Sequence, residues 1–357
     1  MSLGDPEDST QVYQPPSVWD NVLRMSFHDF WSTWDVDNNR FIKLIKSQCP
    51  DTEIIIDDDT PDIVFYSVFN RTQKSHDFLE KYPKSLVIFY TGENRRPDFK
   101  RCDLALSFDW LDDPRNYRLP LYQSRLELMR SSKWRSASLD EHILDRKKKF
   151  CCFLVSNEKG QIRNEVYEQL NNYKKVDSGG RFMNNIGGQS IGRGDKTFEW
   201  IHEYKFFLCF ENSEYPGYTT EKLPNAYISG TVGIYWGNPV VDRDFNTKAF
   251  VNYYDHGSIQ ALVDRVIELD NDDEQYLAML REPIFHNDEV PEPLQSHNIF
   301  EFIKNGYEEK QLARQARKAQ KRAQKEQKRM ERERKRERKR MKREKERMKK
   351  KKLRQHK

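Results

Sequence analysis

Between residues 207 and 239 the chain reads FLCFENSEYPGYTTEKLPNAYISGTVGIYWGNP. Glu211, Asn212 and Ser213 follow an apolar run at once, and Tyr218, Thr219, Thr220, Glu221 and Lys222 crowd in before the chain turns apolar again. That set could hold a nucleoside diphosphate. The free N–H groups of a helix starting near Glu221, with the Lys222 ammonium, suit a diphosphate. Glu221 is an acceptor suited to the hydroxyl pair of a ribose. Gly217 permits a tight turn or a close backbone approach, and Thr219 or Thr220 is placed to cap the helix. Taken alone, the segment reads equally well as an ordinary capped helix with a solvated Glu-Lys pair.

Two other stretches carry matching chemistry. VSNEKGQIRNEVYEQL places Ser156 and Asn157 at the end of an apolar run and Arg163 in the first turn of an amphipathic segment. An arginine fork fits phosphate oxygens. In the other half of the chain, VIFYTGENRRPDF ends an apolar run on Thr91, Gly92, Glu93 and Asn94. A carboxylate at such a strand end can take a proton from an acceptor hydroxyl, which makes Glu93 a candidate general base.

Other motifs fail on inspection. DVDNNRFIKLIK, residues 35–46, begins like a calcium loop, but Arg40 and Lys46 occupy the glycine and bidentate-glutamate positions. GGQSIGRGDKT, residues 187–197, resembles a phosphate loop only in composition and reads as a flexible glycine loop. DRD, residues 242–244, reads as surface rather than a metal-binding Asp-x-Asp pair, and NRT, residues 70–72, is a bare glycosylation sequon. The eight histidines are scattered and the five cysteines lack zinc or disulfide spacing, so no metal site is expected and Cys102, Cys151 and Cys209 read as buried thiols.

These residues need strands and helices to position them. Strands are expected over 21–31, 53–57, 61–69, 85–94 and 103–111, with helical patterns at 40–47 and 75–81. A link of low hydrophobicity spans 139–149. The pattern then restarts with a strand at 150–157, a helix at 162–173, a short strand and turn at 174–180, a strand–helix–strand unit over 205–237, and two amphipathic helices beyond 257. Alternating strands and helices predict parallel α/β layers, here in two similar halves facing a cleft. Ligands in such sheets bind beyond the carboxyl ends of the strands, where Glu93, Ser156 and Glu211 fall.

The charge is split. Residues 310–357 hold 26 Lys and Arg against 6 Glu, a net of +20, while residues 1–309 carry −15. The tail from 311 has hardly any apolar residues and no heptad seam. A solvated helix or disordered basic arm fits it, with binding to an anionic membrane surface next and nucleic acid less favoured. Residues 1–17 read as a disordered leader. With no basic-then-apolar signal and no apolar run of membrane length, the expected setting is cytoplasmic or peripheral to a membrane. A Golgi lumen stays open should an anchor precede these residues.

CFLVSN, IRN, FYTGEN and the run YKFFLCFENSEYPGYTTEKLPNAYISGTVGIYWGNP resemble the α1,3-fucosyltransferases, over about residues 22–307. The run from Phe210 to Lys222 with the following IYWG is the most specific part, and residues 213–216 depart from the family pattern. The resemblance implies a GT-B fold of two Rossmann-like domains, with residues 18–149 binding the acceptor, residues 150–307 binding GDP-fucose, and 308–357 outside it as a basic tail. It implies Glu93 as general base, and Arg163, Asn212, Tyr218, Glu221 and Lys222 as donor-binding residues. Further donor contacts are expected at Ser156, Asn157 and Glu211. The implied reaction moves L-fucose with inversion to a GlcNAc or Glc hydroxyl of a glycan, with no cofactor or metal. The competing readings are a polyanion-binding protein acting through its tail, and a two-domain glycosyltransferase using another nucleotide sugar.

Overall fold

The computed structural model describes residues 19, 21–70, 77–188, 190–192 and 194–355. The expected leader at 1–17 and the Thr72 end of the sequon lie outside them. The chain forms two parallel sheets followed by a long terminal helix.

The first half contains β1 (Val22–His28), α1 (Arg40–Gln48), β2 (Glu53–Ile56), β3 (Ile63–Tyr66), α2 (Phe78–Lys81), β4 (Leu86–Tyr90), β5 (Leu104–Ser107) and β6 (Asn116–Arg118). The sheet order is β2-β1-β3-β4-β5-β6, and every neighbouring pair is parallel. IVFY of β3 and LVIFY of β4 are buried throughout, as strands covered on both faces must be. One face packs Val64, Tyr66, Val87 and Phe89 with Phe78 and Tyr82. On the other, Phe65 stacks on Phe41 of α1 at 4.2 Å between ring centroids. The expected calcium-like loop instead starts α1, where the Asn39 side chain accepts from the amides of Phe41 and Ile42.

The second half contains α3 (Leu126–Ser131), α4 (Lys133–Ala137), α5 (Ile143–Arg146), β7 (Lys149–Phe153), α6 (Gln161–Tyr173), β8 (Val176–Ser178), α7 (Asp195–His202), β9 (Tyr204–Leu208), α8 (Lys222–Ile228), β10 (Val232–Tyr235), β11 (Val251–Asn252), α9 (Tyr253–His256), α10 (Ile259–Asn271) and α11 (Asp273–Arg281). Its sheet runs β11-β10-β9-β7-β8, again all parallel. Side chains alternate between two cores: Cys151, Phe153, Phe206 and Leu208 face one, and Cys152, Phe207 and Cys209 the other. The sequence of strands reverses direction between β7 and β9, which makes their carboxyl ends the switch point of this sheet.

The link is more than a spacer. Ile143 of the link is fully buried in one core of the second sheet, and Tyr122 and Met129, ahead of the link, are buried in the other. The short helices that carry them were not expected, because four- to six-residue helices leave almost no periodicity to read. All five cysteines are free thiols, and all but Cys49 are buried.

Helix α12 runs from Ser296 to Gln355. Ile299, Phe300 and Ile303 in its first turns are buried, and the body of the protein ends with Ile303. From Lys304 the helix forms a separate unit, in which every side chain from residue 315 to 348 is exposed. The arm is therefore helical, with spaced pairs such as Glu331 and Lys335 at 2.9 Å along its surface. Among the described residues no helix is long and apolar enough to cross a membrane.

Candidate active site

The turn after β9 is organised from inside. Glu211 is fully buried. Its Oε1 accepts from the Thr220 amide at 2.7 Å, and its Oε2 from Thr220 Oγ1 at 2.8 Å and Lys222 Nζ at 2.8 Å. Burial lifts the Glu211 carboxyl above the usual range, and Lys222 pulls the other way. Burial alone would lower the Lys222 pKa, but the Glu211 charge overrides it and holds the ammonium protonated. The pair is an internal strut, with both Glu211 oxygens, expected to contact the donor, engaged by Thr220 and Lys222. Lys222 likewise presents a neutralised charge rather than a free one.

The expected threonine cap is also replaced. Glu221 occupies the N-cap position of α8 and no side chain caps the helix. Thr220 Oγ1 is committed to Glu211, and Thr219 Oγ1 lies 3.1 Å from the Tyr235 hydroxyl. α8 is seven residues long. Sequence reasoning missed Asn238, fully buried just after β10, which fastens this turn. Its Oδ1 accepts from the Gly217 amide at 2.7 Å, and its Nδ2 donates to Thr219 Oγ1 at 3.1 Å. A lone asparagine after an apolar strand was the available signal. Gly217 meets both demands expected of a glycine: its φ is +85°, and a Cβ there would stand 2.9 Å from the Phe108 carbonyl of the first half.

Arg163 is the cation this turn lacks. It is 1 % exposed, on the first turn of α6 at the switch point. Its Nη2 donates to the carbonyls of Asn157 at 2.6 Å and Lys159 at 2.9 Å, while Nε has no partner. Burial lowers its pKa, and the Glu211 charge opposes that. Among the described residues it makes no ion pair. A buried guanidinium with only carbonyl partners is electrostatically incomplete, and an anion would complete it. Ser156 and Asn157 are exposed on the same loop.

Tyr218 gathers the remaining groups. It is buried, with its ring 5.0 Å from Phe108 in an edge-on contact. Its hydroxyl pKa is raised by burial first, then by the charges of Glu211, Glu93 and Glu221, against a hydrogen bond from Asn212. Glu93 is half-buried, in a turn where its amide donates to Thr91 Oγ1 at 3.1 Å. Its neighbour Asn94 donates to Ser213 Oγ at 2.7 Å, and Ser213 Oγ donates to Asn212 Oδ1 at 3.2 Å.

Two arginines lock the halves in this arrangement. Arg96 lies over the Tyr215 ring and pairs with Asp109 at 2.8 Å. Arg118 reaches Asp244 with both nitrogens, at 2.9 and 2.5 Å. Asp244, expected as surface in the DRD motif, is buried because it answers Arg118 across the cleft. A cavity of about 520 Å³ lies between the halves, bounded by Trp31, Trp34, Tyr90 and Arg125 on one side and Glu221 and Asn225 on the other. Among the described residues no group of three or more His, Cys, Asp or Glu side chains could hold a metal ion.

Comparison with known proteins agrees with this arrangement. Residues 25–124 match the alpha-(1,3)-fucosyltransferase FucT N-terminal domain, and residues 144–282 match the glycosyltransferase family 10 (fucosyltransferase) C-terminal domain. The alpha-(1,3)-fucosyltransferase FucT of Helicobacter pylori is 35% identical over 251 residues, 62% of this chain and 51% of its own length. A putative fucosyltransferase of Acanthamoeba polyphaga mimivirus is 31% identical over 40% of this chain and 25% of its own. The chain therefore matches about half or less of the length of these curated relatives. A crystal structure of an alpha1,3-fucosyltransferase with GDP-fucose superposes with a TM-score of 0.65 at 28% identity, covering 80% of this chain and 90% of that one. Two domain matches in this order, one on each parallel sheet, together span about two thirds of the residues, and the chain belongs to glycosyltransferase family 10, the fucosyltransferases.

Proposed function

We propose that this protein is an inverting α1,3-fucosyltransferase, transferring L-fucose from GDP-fucose to a GlcNAc or Glc hydroxyl of a glycan. The observation that carries the reading is the meeting of the two turns: Asn94, next to Glu93, donates to Ser213 Oγ at 2.7 Å, and Tyr218 of the facing turn packs edge-on against Phe108 of the first half. Glu93 is the general base: its carboxylate takes the proton of the acceptor hydroxyl. The acceptor oxygen bonds to fucose C1 from the face opposite GDP. The bond from C1 to the phosphate oxygen breaks, and GDP leaves with the electron pair. Configuration inverts through an oxocarbenium-like transition state. Glu221 holds the ribose hydroxyls, Asn212 and Tyr218 orient the donor, and Ser156 and Asn157 line its loop. Arg163 bears the charge that grows on the diphosphate, and Lys222 adds a smaller share because Glu211 already offsets it. In this assignment the second sheet binds the donor and the first binds the acceptor.

The test is transfer from GDP-fucose to N-acetyllactosamine, with the product linkage read by NMR. Glu93→Gln should keep GDP binding and lose at least about 1,000-fold in turnover. Near-wild-type turnover in that variant removes Glu93 from the mechanism. Stabilisation by UDP-galactose in preference to GDP-fucose in a thermal-shift assay removes the donor assignment. For the basic arm, the exposed charge from residue 315 onward supports an anionic surface as partner. Equal cosedimentation with anionic and neutral vesicles refutes that.

A further inference from the structure

The turn that carries Tyr218 and Glu221 has two separate anchors. Glu211 holds one end, through Thr220 and Lys222. The other end, Gly217 to Thr219, is held by Tyr235, the last residue of β10, and by Asn238 three residues on. Thr219, Tyr235 and Asn238 are all buried, and none of them lines the cavity between the halves. Whatever they do for the reaction they do through the turn.

The hydrogens of this network have one arrangement. Asn238 Oδ1 accepts from the amides of Gly217 at 2.7 Å and Val240 at 3.1 Å. Two backbone donors on that side fix which end of the side-chain amide is the oxygen. Asn238 Nδ2 can therefore only donate, and it reaches Thr219 Oγ1 at 3.1 Å. Thr219 Oγ1 lies 3.1 Å from the Tyr235 hydroxyl, which in turn donates to the Tyr218 carbonyl at 3.4 Å. A carbonyl only accepts, so the Tyr235 proton points at Tyr218 and the Thr219 proton at Tyr235. The chain runs one way, from amide to threonine to tyrosine to carbonyl. The backbone N–H of Asn238 also donates to the Tyr235 oxygen, at 3.2 Å. In a buried chain of this kind each bond polarises the next.

Both ends of the chain grip the turn where the second half meets the first. One end is the peptide of Tyr218, whose ring packs on Phe108 at 5.0 Å. The other holds the Gly217 amide, where a Cβ would stand 2.9 Å from the Phe108 carbonyl. The cations assigned to the diphosphate are supported elsewhere: Arg163 sits on α6 and Lys222 is paired with Glu211. We propose that Thr219, Tyr235 and Asn238 are positioning residues for the transfer step, their one-way chain setting the Tyr218 turn against the first half and so fixing where the donor sugar stands relative to Glu93. That role rests on the transferase reading above. Cutting the chain should harm turnover more than GDP binding.

Thr219→Val keeps the shape and removes the middle hydroxyl, Tyr235→Phe removes the last one, and Thr219→Ser keeps a hydroxyl in the middle. Each is measured for kcat and KM with GDP-fucose and N-acetyllactosamine, for GDP affinity by calorimetry, and for folding by thermal melting. Thr219→Val and Tyr235→Phe should each lower kcat about 10-fold, with GDP affinity within about 2-fold of wild type. Thr219→Ser should keep kcat within about 2-fold. The double variant Thr219→Val, Tyr235→Phe should also lose about 10-fold, because a chain cut twice is no looser than one cut once, whereas independent contacts would multiply to about 100-fold. With an active wild type, any of four results overturns the positioning chain alone. These are unchanged kcat in Thr219→Val, equal losses in Thr219→Val and Thr219→Ser, a multiplied loss in the double variant, and a parallel fall in GDP affinity. Wild-type protein that binds GDP but transfers no fucose from GDP-fucose overturns the transferase reading and the positioning chain together.

Discussion

Asn94 of the first sheet donates a hydrogen bond of 2.7 Å to the hydroxyl of Ser213 in the second, 119 residues away. The bond joins the turn that holds Glu93 to the turn that holds Asn212 and Tyr218. In the proposed mechanism it sets how far Glu93 stands from the donor sugar. Neither partner is charged, so its loss should disturb position more than electrostatics. Ser213→Ala is expected to lower kcat by about 10-fold while GDP affinity stays within about 2-fold, since small misplacements of reacting groups are costly. Steady-state kinetics with calorimetry checks this; an unchanged kcat would show that the turns are registered by Arg96 and Arg118 alone.

The Glu211–Lys222 strut separates structural from catalytic effects in the donor turn. Lys222→Met leaves a buried, unpaired carboxylate and is expected to cost about 3–5 kcal/mol in folding stability. The double variant Glu211→Gln, Lys222→Met should recover much of that loss. Urea denaturation of the two single variants and the double gives the coupling directly. Additive losses would mean that the two side chains do not stabilise one another.

The inner strands were legible because two-sided burial leaves short runs such as FFLCF and VIFY that little else explains, whereas β6 and β11, three and two residues long, leave no such run. The places of Glu93, Arg163 and Glu221 in the fold were legible because they stand just beyond such runs or at a helix start. What stayed hidden was set by partners distant in sequence. Asp244 reads as a surface residue until Arg118, 126 positions earlier, meets it in the buried interface. Nothing local in the sequence shows that Glu211 is held by Thr220 and Lys222, 9 and 11 positions later. The helices at residues 126–146 are too short to show a period, and tertiary packing on the second sheet holds them. Local pattern reports which face is buried, while only the fold reports against what.

Arg163 offers a cleaner view of the donor. Its guanidinium is buried without a counter-charge, so removing it should weaken diphosphate binding without leaving a charge unpaired. Arg163→Met is expected to reduce GDP affinity by about 10- to 100-fold, the range of one or two hydrogen bonds to a charged group. Affinity for guanosine, which lacks the phosphates, should change less than about 2-fold. Arg163→Lys should restore only part of the loss, because an ammonium lacks the planar fork. Equal losses for GDP and guanosine would place Arg163 against the nucleoside instead.

Lys147 gives the fold a pH dependence of its own. Its ammonium is buried, with Nζ donating to the His202 carbonyl at 2.7 Å and to Thr231 Oγ1 at 2.9 Å, and burial pulls its pKa from 10.5 down to about 7. Below pH 7 the group is charged in both folded and unfolded states, and the burial penalty is felt in full. Between about pH 7 and 10.5 the unfolded chain binds the proton and the folded one does not, so stability rises with pH across this window. Above it the contribution is level. Other lysines, tyrosines and thiols titrate in the same range, so the measurement is the difference between wild type and Lys147→Met. Unfolding free energies from urea curves at pH 6, 8 and 9.5 should show the wild type gaining on the variant by roughly a few kcal/mol as pH rises. A difference that stays flat would mean that water or a local opening keeps Lys147 charged in the folded protein.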